Sequence, residues 1–150
     1  LDIVGGGPLL DEVRERAAAI GGDIVTVHGF VEDHRDVEAI LASGTVAAAP
    51  YTDDADSFTR WADPGKLKAY LGAGLPIVMT ATPPIAPQLE AAGAAILVQP
   101  DAASVAAGLE RVLGDPLLWT TMTAASRSEV ANYDWPVVLD KALGEMGFVN

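Results

Sequence analysis

The sequence predicts an α/β fold in which a parallel sheet carries helices on both faces. Short apolar runs rich in Val, Ile and Ala alternate with amphipathic segments along the whole chain. Strands buried on both faces have this continuous apolar character, and strands separated by helices pair in parallel. Glycine and proline at the junctions supply the turns that such a fold needs.

The strands and the first five helices alternate, and two more helices follow the last strand. Runs of four or five residues predict buried strands over Leu1–Val4, Ile24–Val27, Thr45–Ala49, Pro76–Met79 and Ala95–Val98. Apolar residues at helical spacing predict helices over Leu9–Ile20, Asp36–Ala42, Gly65–Gly74, Pro84–Ala92, Ser104–Leu113, Pro116–Asn132 and Trp135–Met146. This alternation is typical of βαβ units.

Local residues support the predicted boundaries. Gly5–Pro8 turns the first strand into a helix, and Gly21–Gly22 ends that helix. Asp101 is placed to cap the helix over Ser104–Leu113, because an Asp side chain accepts hydrogen bonds from the free N–H groups of a first turn. Asp115–Pro116 ends one helix and begins the next.

The composition is that of one globular domain without a nucleic-acid-binding surface. Of the 150 residues, 50% are apolar and 20% charged, and the net charge is −12. Nine Lys and Arg against 21 Asp and Glu argue against binding to DNA or RNA phosphates. The absence of cysteine excludes disulfides, thiolate zinc sites and cysteine nucleophiles, and it fits a cytoplasmic protein. Leu1–Val4 already has strand character and no Met precedes it, so we expect a piece of a longer protein.

Four loops follow strand ends and are expected at one edge of the sheet. They are Gly5–Pro8, His28–Asp33, Pro50–Asp63 and Thr80–Pro84. In open parallel sheets, ligands bind outside the carboxyl ends of the strands. The sequence therefore predicts a ligand site along this edge.

The glycine turn Gly5–Pro8 has two evenly balanced interpretations. Its backbone N–H groups, together with the start of the following helix, suit an anion or a nucleotide. It is equally typical of a plain tight turn between a strand and a helix. The dinucleotide fingerprint GxGxxG is excluded, because its third glycine would fall on Leu10.

The loop after the second strand combines Gly29 with apolar side chains. Phe30 and Val31 could pack against a flat nucleotide base, or else fold into the core. We expect His28 to be a packed or edge histidine rather than a catalyst. Asp33 suits either a cap of the next helix or a ligand contact.

The polar loop Tyr51–Asp63 is long for a compact domain, which is typical of a functional or mobile segment. It contains Asp53, Asp54, Asp56, Ser57, Thr59, Arg60, Trp61 and Asp63. The aspartates favour a solvated acidic loop over a metal site. Their spacing matches no calcium loop, which needs a Gly turn and a Glu ligand in register, so we predict no metal.

The segment Pro64–Val78 carries the strongest signal. Pro64 and Gly65 begin a helix whose first turn offers free N–H groups, and Lys66 adds a positive charge. These groups and the helix dipole act in one direction and suit a diphosphate. The alternative is an amphipathic helix with solvated lysines.

Together these segments resemble the C-terminal domain of retaining GT-B glycosyltransferases (group 1, family 4-like), which consist of two facing Rossmann-like domains. The matching segments, in family order, are Leu1–Pro8, Val27–Asp33, Val46–Tyr51, Pro64–Val78 and Gly93–Val98. The fourth is the most specific, because it is similar to the pattern P-x-K-x-x-E-Y-L-A-A-G-x-P-V-V. The resemblance implies a Rossmann-like doubly wound parallel sheet over residues 1–150, with the N-terminal acceptor domain and a first β-α unit preceding Leu1.

The resemblance also implies a nucleotide-diphosphate-sugar donor, with UDP-, GDP- and ADP-sugars all open, and neither a cofactor nor a metal. It places eight residues at this donor. Gly6 and Gly7 would line the site, Phe30 and Val31 would flank the base, Lys66 and Leu67 would lie against the ribose-diphosphate, and Thr59 and Arg60 would approach the sugar or the phosphates.

Two departures from the family pattern bear on this site. Many relatives carry two glutamates eight residues apart, and the second holds the ribose. Here Trp61 and Ala69 occupy these positions. An Arg and a Lys that hold the diphosphate in relatives belong to a region before Leu1, and Arg60 and Lys66 are the candidates to replace them.

The implied function is transfer of a hexosyl group in bacterial glycan, polysaccharide or glycolipid synthesis. The catalytic residues are expected in the N-terminal acceptor-binding domain, so this domain alone should not catalyse the transfer. A cytoplasmic location is expected, with peripheral association at the inner face of the membrane through the missing domain as an option.

Three alternatives are open. A nucleotide-sugar epimerase of the same architecture would share the diphosphate site. A non-enzymatic receiver-like or flavodoxin-like module would carry a phospho-acceptor Asp at a central strand end, and Thr45–Pro50 ends without one. A degenerate transferase domain kept for interaction is consistent with Ala69 in place of the ribose-binding glutamate.

Overall fold

The computed structural model describes residues 1–21, 23–52 and 58–147. The chain forms two compact units, Leu1–Ser43 and Gly44–Asn150. The first contains a two-stranded sheet and the second a three-stranded sheet. The described strands pair in parallel, which confirms the predicted α/β fold.

The first unit alternates two strands with two helices. Strand β1 (Asp2–Val4) precedes helix α1 (Leu10–Ile20), and strand β2 (Thr26–Gly29) precedes helix α2 (His34–Ser43). The two strands pair in parallel. Strand β2 begins two residues later than predicted, because the N–H of Ile24 is used in a turn that bonds to the carbonyl of Gly21 at 2.9 Å.

Helix α1 has the predicted glycine stop. Gly21 has a φ of +128°, a conformation that favours glycine, and its N–H donates to the carbonyl of Ala17 at 3.2 Å. Gly22 lies outside the described residues. The helix begins at Leu10, so Pro8 lies in the preceding turn rather than in the first helical turn.

The second unit contains three strands and five helices in the residues that the structure describes. In chain order they are β3 (Ala47–Ala49), α3 (Gly65–Gly72), β4 (Ile77–Thr80), α4 (Ala86–Ala91), β5 (Ala95–Val98), α5 (Ala102–Leu113), α6 (Pro116–Glu129) and α7 (Trp135–Glu145). Strand β4 is central, with Val78 opposite Ala48 on one side and Ile96 on the other. Two 3₁₀ turns, Phe58–Trp61 and Val130–Tyr133, complete the unit.

The helix predicted over Pro116–Asn132 is divided in the structure. Its regular part ends at Glu129, and the tighter turn Val130–Tyr133 follows directly. Such tightening is common at the end of a helix, because it gives partners to carbonyl groups that the α-helical pattern leaves free.

Both faces of strand β4 are buried, and alternate residues face opposite layers. Ile77 and Met79 pack into one cluster with Leu67 of α3 and Leu89 of α4. Val78 packs into a second cluster with residues of α5 and α6. The two-residue period of a strand explains this division. The sheet of the second unit is therefore covered by helices on both sides, as predicted.

Side-chain caps and hydrogen bonds hold the helices of this unit in place. Asp101 accepts from the N–H of Ser104 at 2.8 Å, which confirms the predicted cap of α5. Asp115 accepts at 3.0 Å from the N–H groups of the first turn of α6, which also begins as predicted. The Ser126 hydroxyl donates to the carbonyl of Leu75 at 2.9 Å, and this buried bond fastens α6 to the segment before β4.

Helix α5 approaches the sheet closely at Gly108. A Cβ added at Gly108 would lie 2.8 Å from Cγ1 of Val78 and 2.9 Å from Cγ1 of Val98. Both neighbours are β-branched side chains with few rotamers, so they cannot easily give way. The sequence signal for this contact is a single glycine in the middle of an otherwise regular helix.

We expect Gly108→Ala to lower the free energy of unfolding by about 1–3 kcal/mol, because the added methyl overpacks the contact between α5 and the sheet. The matched control is Gly144→Ala in helix α7, where no described atom lies within 4 Å of the added Cβ. That substitution should raise stability by up to about 1 kcal/mol, since alanine favours a helix over glycine. Chemical denaturation of both variants measures the difference, and equal effects would contradict the close approach.

Candidate functional site

In the first unit, the structure brings the two predicted loops together. The N–H of Gly5 donates to the carbonyl of Gly29 at 2.8 Å. A Cβ added at Gly6 would lie 3.4 Å from Cβ of Phe30, so the glycine turn and the loop after β2 are neighbours. The carbonyl of Gly7 accepts from the N–H of Leu10 at 3.1 Å, which ties the turn to the start of α1.

Phe30 lies on the surface of this unit and not in its core. Its side chain is 80% exposed, while Val31 is partly buried. The interpretation in which Phe30 folds into the core is therefore wrong. An exposed aromatic ring is available for stacking, and a contact between Phe30 and a nucleotide base stays a prediction.

Asp33 and His28 have structural partners. Asp33 accepts from the N–H of Arg35 at 2.9 Å and forms an ion pair with the Arg35 guanidinium at 2.8 Å. These bonds lower the pKa of the Asp33 carboxyl. Nε2 of His28 lies 2.8 Å from Oδ1 of Asp2 on the adjacent strand. Asp33 thus bonds to the first turn of α2, and His28 is an edge residue of the sheet.

Arg14 was missed by the sequence analysis as a neighbour of these loops. One of its terminal nitrogens lies 3.3 Å from the position that a Cβ at Gly29 would take. The same guanidinium makes a long bond of 3.4 Å to Asp11, one turn earlier in α1. Helical spacing puts Arg14 on the polar face of α1, and nothing in the sequence indicates that its side chain lies beside Gly29.

In the second unit, helix α3 begins with unused backbone donors. The N–H of Leu67 donates to the carbonyl of Pro64 at 3.1 Å, and no side chain caps the helix. Within the described ranges, no acceptor bonds to the N–H of Gly65 or Lys66. Apart from its two chain neighbours and the nearby backbone of the helix itself, no described atom lies within 4 Å of the position that a Cβ at Gly65 would take.

Lys66 is exposed, and its ammonium lies over the ring of Tyr51. The distance from Nζ to the ring centroid is 4.4 Å, which is within the range of a cation–π contact. No carboxylate in the described parts of the chain pairs with it. Desolvation by the surrounding protein lowers the pKa of Lys66. The helix start therefore carries a positive charge that no acid among the described residues neutralises.

The neighbouring lysine of the same helix is engaged. Lys68 forms an ion pair with Asp63, and its Nζ lies 5.5 Å from the centroid of the Tyr133 ring. Two lysines that the sequence could not tell apart are thus different in the folded chain. Lys66 is available to a ligand, whereas Lys68 already has an anionic partner.

Leu67 is fully buried in the core cluster of helices α3 and α4. Its N–H is bonded to the carbonyl of Pro64. Of the pair Lys66 and Leu67 that the resemblance placed against the ribose-diphosphate, only Lys66 has its side chain on the surface. The burial of Leu67 follows from the helical period, because its neighbour Leu71 one turn later is buried as well.

Thr59 and Arg60 lie on the 3₁₀ turn that precedes α3. Arg60 is exposed and Thr59 partly buried. Their predicted approach to the sugar or the phosphates stays a prediction. Four polar residues of the same loop, Asp53, Asp54, Asp56 and Ser57, lie outside the described residues. Among the residues that are described, no three His, Cys, Asp or Glu side chains form a group that could hold a metal.

The two predicted edge loops of the second unit are joined at Thr80. Its buried hydroxyl, at the end of β4, donates to the carbonyl of Tyr51 at 2.8 Å. Burial and the nearby Tyr70 raise the pKa of Tyr51 to about 12. The end of β4 and the loop after β3 thus meet at the carboxyl edge of the sheet, as the sequence predicts. This arrangement puts the Tyr51 ring under Lys66.

A buried polar cluster was missed by the sequence analysis. Glu129 accepts from the side-chain amides of Gln88 at 2.6 Å and Asn132 at 3.0 Å. Burial, with the charges of Glu129 and Asp63, raises the pKa of Tyr133 to about 12. The sequence feature that could have revealed this cluster is the helical spacing of Glu129 from Met122 and Ser126, which puts all three on the buried face of α6.

Comparisons with known proteins agree with this fold. The family model of the group 1 glycosyl transferases matches residues 1–115. The chain is similar to the crystal structure of WaaG, a glycosyltransferase involved in lipopolysaccharide biosynthesis, with a TM-score of 0.70 and 19% identity over 95% of this chain. This likeness confirms the predicted GT-B-type fold. No curated protein sequence matches the chain.

The chain spans only 36% of the WaaG chain. The matched structure therefore includes much that has no counterpart in these 150 residues. Within the described residues, no helix has the length and apolar character required to cross a membrane.

The ammonium of Lys66 should lose its proton at a lower pH than an ordinary lysine, because desolvation disfavours the charged form. Its charge is complete below the lowered pKa and disappears as the pH rises through it. Carbon-13 NMR of the labelled lysine side chain across a pH series measures the midpoint, with Lys66→Arg used to assign the signal. A midpoint at or above 10.5, the ordinary pKa of a lysine, would contradict the desolvation.

Proposed function

The chain belongs to the group 1 glycosyl transferases, and on this premise we propose that it binds the nucleoside diphosphate part of a nucleotide-sugar donor. The observation that carries the proposal is the start of helix α3. There Lys66 has no described acidic partner, and the N–H groups of Gly65 and Lys66 have no acceptor among the described residues. N–H donors, helix dipole and ammonium all favour an anion at one point.

The charge distribution of the chain supports this choice of anchor. With a net charge of −12, the chain as a whole repels anions. Several basic side chains are already paired with carboxylates, namely Arg14, Arg16, Arg35 and Lys68. Lys66, Arg111, Arg127 and Lys141 have no described ion pair, and of these four Lys66 alone lies in the first turn of a helix.

The chemistry of transfer explains why such an anchor would matter. When the bond between sugar and diphosphate breaks, negative charge grows on the leaving nucleoside diphosphate. Fixed positive charge and N–H dipoles stabilise this charge more in the transition state than in the bound donor, which accelerates the step. Lys66 and the first turn of α3 would supply this stabilisation without a metal ion.

The remainder of the donor site follows the resemblance. We propose that Phe30 contacts the base, because its ring is exposed, and that the turn Gly6–Gly7 accepts a close ligand. Thr59 and Arg60 would approach the sugar or the phosphates. The donor is a UDP-, GDP- or ADP-sugar, and its hexosyl group is transferred in bacterial glycan or glycolipid synthesis.

Acceptor binding and proton transfer are proposed to belong to an N-terminal domain of the same protein. The chain then acts as the donor-binding half and does not catalyse transfer alone. Closure of the two halves would exclude water that could otherwise hydrolyse the donor. The proposed location is the cytoplasm, with the inner face of the membrane as an option.

Lys66→Ala should weaken nucleoside diphosphate binding by about 10- to 100-fold, the range expected when a charge-assisted hydrogen bond is lost. The matched control is Lys68→Ala. It removes the same charge two residues along the helix, but from a lysine that Asp63 already neutralises. UDP, GDP and ADP are compared by thermal shift, where a ligand at 100 times its dissociation constant adds about 2.7 kcal/mol. Equal loss in the two variants would contradict the assignment of Lys66.

Phe30→Ala should leave the melting temperature nearly unchanged, because the side chain is 80% exposed. It should weaken nucleotide binding about 5-fold or more, the effect of losing a stacking partner for a base. Calorimetry with the nucleotide that the wild type binds best measures the change. Unchanged affinity would remove Phe30 from the base site and leave the diphosphate assignment intact.

A further inference from the structure

We propose that Tyr51 is a positioning residue that holds the Lys66 ammonium at the start of helix α3 for the diphosphate, an inference that rests on the proposed function. The two side chains come from different parts of the second unit. Nζ of Lys66 lies 4.4 Å from the centroid of the Tyr51 ring. The contact brings a cation onto the negative face of the ring.

A lysine needs such a support, because its four-carbon side chain has many rotamers. Fixing a free ammonium on a ligand costs conformational entropy, whereas an ammonium already held in place costs less. No carboxylate in the described ranges holds Lys66. An aromatic ring can restrain the ammonium without neutralising its charge, which an aspartate in the same place would do.

Tyr51 itself is firmly placed. Its N–H donates to the carbonyl of Ala49 at 3.0 Å, and its carbonyl accepts from the hydroxyl of Thr80 at 2.8 Å. Its ring packs against the core cluster that contains Leu67 and Met79. The central strand, the core and helix α3 thus fix the ring, and the ring restrains the lysine.

The contact between Tyr51 and Lys66 is made by the ring, and the hydroxyl of Tyr51 has no described partner. Its oxygen is buried and has no hydrogen-bond partner among the described residues. An unpaired buried hydroxyl opposes folding, because it loses its bonds to water.

The experiment compares three variants of the 150-residue chain. Tyr51→Phe keeps the ring and removes the unpaired hydroxyl. Tyr51→Leu removes the ring and keeps an apolar side chain. Tyr70→Leu is the matched control, because the Tyr70 ring packs against the same core cluster but has no cation over it in the described structure.

The first measurement needs no ligand. A ring beneath the ammonium shifts the ε-methylene proton signals of Lys66 upfield in the NMR spectrum. We expect this shift in the wild type, in Tyr51→Phe and in Tyr70→Leu, and its loss in Tyr51→Leu. Its absence from the wild type would overturn the proposal, whether or not Tyr51→Leu folds.

The second measurement is the dissociation constant of UDP, GDP or ADP, whichever the wild type binds best. We expect Tyr51→Phe and Tyr70→Leu to bind as the wild type does, and Tyr51→Leu to bind about 3- to 10-fold more weakly. Tyr51→Phe should also melt no lower than the wild type. Wild-type affinity in Tyr51→Leu, or an equal loss in Tyr70→Leu with the upfield shift of Lys66 still present, would overturn the role of Tyr51 and leave the diphosphate site standing.

A different result would overturn the proposed function. If the wild type binds none of the three nucleotides, the diphosphate site is wrong, and the positioning role falls with it even where the upfield shift is present. If the wild type binds and Lys66→Ala does not, while Tyr51→Leu is unaffected, only the positioning role is wrong.

Discussion

Burial of strand β4 on both faces is the constraint on which the second unit depends. All four residues of Ile77–Thr80 are buried, and a strand with no solvent-facing side must be covered by helices on both sides. Helices α3 and α4 cover one face, and α5 and α6 cover the other. Because Thr80 ends this strand and bonds to Tyr51, the same constraint places the candidate site.

The candidate site lies at a helix start that the core holds rigidly. Leu67 and Leu71 fix the inner face of α3 in the core, which leaves Lys66 on the outer face. Leu67 therefore fixes the position of the helix start, and the adjacent Lys66 supplies its charge. A ligand-binding group on a helix anchored in this way is placed more exactly than one on a loop, because the packed side chains determine the direction of the helix.

Electrostatic pairing distinguishes the basic residues of this acidic chain. An exposed ion pair adds little stability in water, but it removes a charge from use by a ligand. Lys68 with Asp63 and Arg35 with Asp33 are occupied in this way. Lys66 has an aromatic partner instead, and an aromatic partner leaves the full positive charge available.

The sequence by itself determined the order of the elements, the cap at Asp101, the helix boundary at Asp115–Pro116 and the glycine stop at Gly21. These features depend on contacts within a few residues, such as helical periodicity and the bonding of first-turn N–H groups, which a sequence displays directly. Only the tertiary structure decided which lysine of α3 is paired and that Tyr51 lies beneath Lys66. Those contacts join segments far apart in the chain, and their geometry depends on packing against a common core.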